Sequence, residues 1–149
     1  MRGSIENCDG KRKELREYPG ARSFAELPSL SRSALTTGEL TVIAVEIFFG
    51  EVCNGGLVQY LGNASAFAED LAEALMRVGL PQYVPLAIEL RRLFPSGIPH
   101  DVDRIFEKED ALEELTSRFF ELHTHDGDPF REVLAAYIRN NEDQFVAGF

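Results

Sequence analysis

Cysteine is scarce in this sequence: Cys8 and Cys53 are the full complement of a 149-residue chain. Two thiols in a chain of this length make no disulfide framework, and no C-x-x-C pair occurs. Cys53 follows a hydrophobic run and reads as a small buried apolar residue. No histidine lies near it in sequence to activate it as a nucleophile. Long apolar runs are also missing. None approaches the roughly 20 residues that span a bilayer, and the first residues, MRGSIENCDGKRKELREYPG, carry no apolar core of a secretory signal. The expected compartment is therefore the cytoplasm. Phosphate-loop signatures are absent too. A Walker loop needs G-x-x-x-x-G-K-[ST] after a strand, and a dinucleotide fingerprint also follows a strand; neither context exists here.

Basic charge is the other shortage. The chain has 15 lysines and arginines against 25 aspartates and glutamates, for a net charge of −10. Residues 1–60 are nearly balanced, with 7 basic and 8 acidic side chains, whereas residues 61–149 hold 8 and 17. Such a balance repels nucleic acid and anionic membranes and attracts basic partners. It also serves ordinary solubility.

What is present is helical periodicity. Length and composition suit one domain with one core. Residues 1–30 have no clean period and read as an N-terminal arm, in which Phe24, Leu27 and Leu30 offer a short helical turn beside Pro28. The remainder, 31–149, reads as an all-α domain of about six to eight helices. Thr36 and Glu39 stand in capping-box spacing. Two stripes follow, Leu40–Ile43–Ala44–Ile47–Phe48 and Val42–Val45–Phe49–Val52, so this helix is expected to be central and buried. Glu46 is expected on its one narrow wet face.

Asn54-Gly55-Gly56 is expected to end that helix, since these residues tolerate the left-handed backbone at a helix terminus. A short helix over Leu57–Leu61 would then stop at Gly62-Asn63. Ser65 would open a third, striped by Leu71, Leu75 and Val78 and closed by Gly79. A fourth is expected from Pro81 to Phe94, then a rigid Pro95–Pro99 loop. Asp101 opens the next segment, whose stripe slips near Lys108–Asp110 and predicts either two helices or one bent one. His123–Asp128 reads as a loop, and Asp128-Pro129 as the start of a last helix through Ile138. The late aromatics of the tail are expected to dock back on the body.

Three places invite a chemical reading. In EVCNGGLVQYLGN, Glu51 to Asn63, the paired glycines fit a tight helix corner better than a phosphate loop, with Gln59 and Asn63 positioned to bond exposed helix ends. HTHDGD gathers His123, His125, Asp126 and Asp128. It matches neither an EF-hand nor H-E-x-x-H, so a solvated turn is preferred to a metal site. His100 precedes a helix and suits a local role. No Ser/His/Asp set or acid–base pair stands out. No catalytic residue and no cofactor is expected.

The densest feature is EKEDALEE. Glu107, Asp110, Glu114 and Glu121 fall at helical spacings along one side, with Asp101, Asp103, Glu109 and Glu113 close by. Carboxylates so placed repel, at about 0.2–0.5 kcal/mol per pair, with Cβ atoms about 5–6 Å apart. That separation approaches the phosphate spacing of a nucleic-acid strand. A solvated helix face carries the same pattern.

EVCNGGLVQYLGN resembles the signature of the bacterial DNA-mimic protein family, whose core reads roughly E-V-N-N-G-G-F-x-Q-Y-F-x-N. Glu51, Val52, Asn54, Gly55, Gly56, Gln59, Tyr60 and Asn63 match; Cys53 replaces Asn, and Leu57 and Leu61 replace aromatics. AEDLAEALMRVGL and FPSGIP with Asp101 resemble the family's following helix and loop, so the resemblance spans about Leu35 to Ile138. It implies an all-helical fold, dimerisation and a surface that imitates duplex DNA toward a DNA-binding transcription factor. The signature marks the fold rather than the mimicry. On this reading Asn54, Gly55, Gly56, Gln59, Tyr60 and Asn63 hold the structure. The expected partner-binding residues are Asp101, Asp103, Glu107, Glu109, Asp110, Glu113, Glu114 and Glu121. The expected function is non-enzymatic binding of a basic DNA-binding protein. The alternatives are an immunity or antitoxin protein covering a basic toxin, and an unrelated role with a metal at HTHDGD.

Overall fold

The computed structural model describes residues 35–126 and 130–145, apart from the side chains of His125 and Asp126. The expected N-terminal arm, the Asp128-Pro129 helix start and the end of the tail lie outside those residues. The described residues form six α-helices and no strand. These are α1 (Thr37–Ala64), α2 (Leu71–Val78), α3 (Val84–Arg92), α4 (Val102–Phe106), α5 (Glu109–Asp126) and α6 (Phe130–Asn140). Short 3₁₀ turns occupy Ser65–Phe67, Pro81–Tyr83 and Glu142–Gln144.

α1 begins at the expected capping box. The Thr36 hydroxyl accepts from the Glu39 amide at 3.1 Å, and the Glu39 carboxylate accepts from the Thr36 amide at 3.0 Å. The same hydroxyl donates to the Gln144 carbonyl. This bond ties the C-terminal turn to the start of α1. Gly38 permits the approach, because a Cβ there would lie 2.8 Å from Gln144 Cβ. Phe145 packs against the core beside it, as the tail was expected to do.

Both stripes of α1 pack into the core, with Ala44, Val45 and Val52 at 0% exposure and Leu40 and Ile43 half-buried at its margin. Glu46 is half-buried. α2, α4 and α5 pack against α1, and Phe130 of α6 stacks on its Phe49, so it has no wide polar face to offer. Within Thr37–Phe67 an 18-residue window has a mean hydropathy of 1.5, so this helix is long and apolar enough to cross a membrane, against the expectation that no segment would be. Its place at the centre of the domain explains that hydropathy: neighbouring helices, rather than lipid, cover its apolar sides.

The expected end of the first helix at Asn54-Gly55-Gly56 is found as a kink where two helical segments of α1 meet; the expected stop at Gly62-Asn63 is corrected. Gly55 (φ −154°, ψ 17°) and Gly56 (φ 77°, ψ −173°) leave helical geometry, but helix resumes at once and runs to Ala64. The corner is real and the stop at Gly62-Asn63 is not. Leu61 and Ala64 are buried, and burying them outweighs the roughly 1 kcal/mol by which glycine disfavours a helix interior. Ser65 opens only a 3₁₀ turn, and α2 starts six residues later, at Leu71.

Downstream, Gly79 (φ 91°) terminates α2 as expected, and the Leu80 amide reaches back to the Leu75 carbonyl at 2.9 Å. The expected fourth helix is a 3₁₀ turn followed by α3, with Pro85 in its first turn, where the missing N–H does little harm. Asp101 caps α4 by accepting from the Asp103 amide at 3.1 Å. The phase slip near Lys108 proves to be the junction of α4 and α5.

The expected loop at His123 is also corrected, since α5 continues through it to Asp126. His123 lies one turn after Phe119 and stacks on it, with ring centroids 5.6 Å apart and planes at 13°. That contact extends the buried face of α5 into a run that looks polar in the sequence. Around it stands an aromatic cluster. Phe48, Phe49, Tyr60, Tyr83 and Phe119 meet mainly edge-to-face, while Phe49 stacks on Phe130 at 4.5 Å. One cluster thereby joins α1, α5 and the first residue of α6.

Candidate acidic interface

The signature stretch contributes a scaffold to the site. Gly56 holds a backbone conformation that is essentially restricted to glycine. The turn frees the Leu57 amide, which donates to the Thr116 hydroxyl of α5 at 3.0 Å. Thr116 in turn donates to the Leu112 carbonyl at 2.8 Å. Glu51 closes the corner from the other side: its Oε2 accepts from Gln59 Nε2 and from Asn63 Nδ2, each at 2.8 Å. Gln59 and Asn63 thus clamp a carboxylate across the kink, in place of the helix ends expected from sequence. This geometry ties the spacing of Glu51, Gln59 and Asn63 to the bend at Gly55-Gly56, and the bend in turn sets α1 against α5.

Tyr60 completes the motif from inside. It is fully buried, against Phe48 at 5.4 Å, and its hydroxyl has no hydrogen-bond partner among the described residues. Burial pushes its ionisation well above the usual tyrosine range. Above about pH 10 the unfolded chain releases this proton and the folded one keeps it. The unfolded state then binds fewer protons, so stability falls as pH rises through that window. Tyr60→Phe is expected to match or exceed the parent in stability at neutral pH, by up to about 1 kcal/mol, since it removes an unsatisfied buried hydroxyl. It is also expected to move alkaline unfolding to higher pH. Thermal melts from pH 7 to 11 check both; a Tyr60→Phe protein several degrees less stable at pH 7 would show that the hydroxyl is satisfied.

The eight expected partner-binding carboxylates, Asp101, Asp103, Glu107, Glu109, Asp110, Glu113, Glu114 and Glu121, are all exposed. Their arrangement differs from the expected single row. Glu107 sits at the end of α4, Lys108 follows, and α5 begins at Glu109, so Glu107 is not in file with the others. On α5 the acids form two ranks. At about 100° per residue, Asp110, Glu114 and Glu121 fall within about 40° of one another, opposite the buried Leu112, Leu115 and Phe119. Glu109 and Glu113 stand to one side, along a groove next to Gly55 and Gly56. Asp110 and Glu109 lie in the first turn of α5, where the helix dipole favours negative charge.

Three arginines of the acidic half are engaged by other carboxylates. Arg118, three residues before Glu121, donates to Glu89 of α3, and Arg91 pairs with Glu69 at 3.5 Å. Arg77 pairs with Glu73 at 2.6 Å within α2. Among the described residues, none of the eight acids shares a salt bridge. Arg104 and Lys108 are exposed among the acids of α4 and its junction, so the outward rank of α5 is the more purely anionic part.

The model of a family described as DMP19-like protein matches residues 33–141. The chain belongs to the DMP19-like protein family. The match takes in all six helices of this DMP19-like protein, including the clamped corner and both acidic ranks. No curated protein and no solved structure matches the chain.

Of the HTHDGD residues, His123 packs its ring against Phe119 and Phe49. The side chains of His125, Asp126 and Asp128 lie outside the described residues. His100 has the local role expected of it: its Nδ1 lies 2.6 Å from the Ser65 hydroxyl, joining the loop before α4 to the end of α1. Sequence reasoning missed the engagement of Arg118 by Glu89 and the role of Thr116. Neither had a local signal, since both contacts bridge elements far apart in the chain.

Proposed function

We propose that this DMP19-like protein is a non-enzymatic binding protein that imitates DNA, its α4–α5 carboxylates occupying the basic surface of a DNA-binding protein. One observation carries the reading: Asp110, Glu114 and Glu121 stand in file on an 18-residue helix, exposed and without salt bridges among the described residues, while Arg118 is held by Glu89. The resemblance to the bacterial DNA-mimic family supports it. A stiff helix fixes the charges about 6 and 10 Å apart along its axis, which suits arginines and lysines arranged to meet phosphates. Exposed charges are screened over about 8 Å at physiological ionic strength, so the association is fast and salt-sensitive.

The test is capture from a bacterial lysate on immobilised protein at low and high salt. A basic DNA-binding protein is expected to be retained at low salt and released at high salt. The triple variant Asp110→Asn, Glu114→Gln, Glu121→Gln is expected to weaken binding of the captured protein by about tenfold, near 1.4 kcal/mol. The changes relieve like-charge repulsion within α5 but remove the favourable dipole interaction of Asp110, so the stability of the fold is expected to change by less than about 1 kcal/mol. Retention of no basic protein at low salt would count against the proposal, as would a triple variant that binds as tightly as the parent.

A further inference from the structure

Four large apolar side chains are exposed among the described residues: Met76, Ile88, Val102 and Phe106. Single ones are ordinary on a protein surface. Val102 and Phe106 are a pair. They stand four residues apart on α4, at 53% and 48% exposure. At about 100° per residue they fall within about 40° of each other around the helix. Residues so spaced are neighbours on a helix surface. α4 is held to the body by Ile105, which is 1% exposed. The pair lies between Ile105 and Asp103 around the axis, and Arg104 falls about 160° away, on the opposite side.

The surroundings of the pair are acidic. Residues 101–110 contain five acidic and two basic side chains, all exposed. An apolar centre within a charged rim is the anatomy of a protein interface. The charge selects what covers it. A second copy of this chain, with its net charge of −10, would set the same carboxylates against one another. A basic surface would set lysines and arginines against them. Val102 and Phe106 are about 6 Å apart along the axis, which matches two apolar residues one turn apart on another helix.

We propose that Val102 and Phe106 are the apolar anchor of the α4–α5 face, and that they receive leucine-type side chains standing between lysines and arginines on a helix of the basic partner. The proposal rests on the reading of α4–α5 as a partner-binding face. The carboxylates meet the partner's cations as phosphates would. The anchor adds a contact that salt does not screen. Phe106 has the larger apolar surface and carries the larger share of it.

The test uses two labelled helical peptides of equal charge against the full chain, read by fluorescence anisotropy. Both carry the same lysines and arginines; one has leucine at i and i+4 between them, the other glutamine. The parent is expected to bind the leucine peptide about tenfold more tightly, and to keep that ratio at high salt while both affinities fall. Val102→Ser with Phe106→Ser is expected to remove the preference and leave the glutamine peptide's affinity unchanged. Met76→Ser with Ile88→Ser removes exposed apolar side chains elsewhere and is expected to keep the preference. Equal binding of the two peptides to the parent would overturn the anchor and leave the acidic-face reading standing. So would a preference that survives Val102→Ser with Phe106→Ser. If neither peptide binds the parent, both readings are overturned. A dimer seen by sedimentation without peptide, and lost in the Val102 and Phe106 variant, would assign the pair to a second copy and overturn the proposal.

Discussion

Phe119→Ala is expected to cost about 3–5 kcal/mol of unfolding free energy, the usual range for deleting a buried phenylalanine ring. Phe119 is fully buried and, with Phe49, is one of the two rings the cluster shares most widely. It meets Phe48 at 5.4 Å and Phe49 at 5.3 Å on α1, Tyr83 at 5.6 Å before α3, and Phe120 and His123 on its own helix. Edge-to-face pairs of this kind add about 0.5–1.5 kcal/mol each beyond simple burial. Neighbours held on separate helices cannot collapse into the space without moving those helices. A domain of this size has only about 5–15 kcal/mol in total, so the variant sits near the limit of folding. Urea unfolding checks the value, with an unchanged m-value showing that stability alone has moved. A loss below about 1 kcal/mol would mean that the cluster is not the core of the domain. Phe119 lies on the side of α5 opposite Asp110, Glu114 and Glu121, so the folded fraction of the variant should keep its affinity for a basic partner.

Gly56→Ala is expected to cost about 3 kcal/mol, or roughly 6–12 °C in melting temperature. The backbone at φ 77°, ψ −173° excludes a β-carbon on steric grounds alone. A second penalty comes from α5, since a Cβ there would lie 3.2 Å from both Cγ2 and Oγ1 of Thr116. Thr116 cannot retreat freely, because its hydroxyl holds the Leu57 amide and the Leu112 carbonyl. Gly62→Ala is the matched control. Among the described residues, nothing beyond its own stretch of helix lies within 4 Å of a Cβ at Gly62, its φ is not positive and the helix passes through it. That change is expected to raise stability by about 0.5–1 kcal/mol. Equal losses at the two glycines, read by thermal melts, would contradict the distinction between a required corner and a tolerated interior glycine.

Much of the architecture is legible along the chain because its signals are local. The Thr36–Glu39 box, the Gly79 terminator, the Asp101 cap and the stripes of α1, α5 and α6 each lie within a turn or two of what they specify. The misplaced boundaries share one cause. Gly62 and His123 look like helix breakers, yet burial of Leu61 and Ala64 in one case and stacking on Phe119 in the other carries the helix past them. Local propensity differs by about 1 kcal/mol, and tertiary packing outweighs it. The acids of the candidate interface were found from spacing, but their division into two ranks was not. It depends on the break at Lys108 and on the position of the α1 corner beside Glu109 and Glu113. The clamp of Glu51 by Gln59 and Asn63 was hidden as well, because residues eight and twelve positions away meet Glu51 only when α1 bends at Gly55-Gly56.

The most direct test is competition. A labelled duplex is bound to the basic protein captured at low salt, and this DMP19-like protein is titrated in while the duplex is followed by fluorescence anisotropy. The account predicts full release of the duplex, with the Asp110, Glu114 and Glu121 amide variant needing about tenfold more protein for the same effect. A stable complex holding duplex, partner and this chain together would place the contact away from the DNA-binding surface and contradict the account.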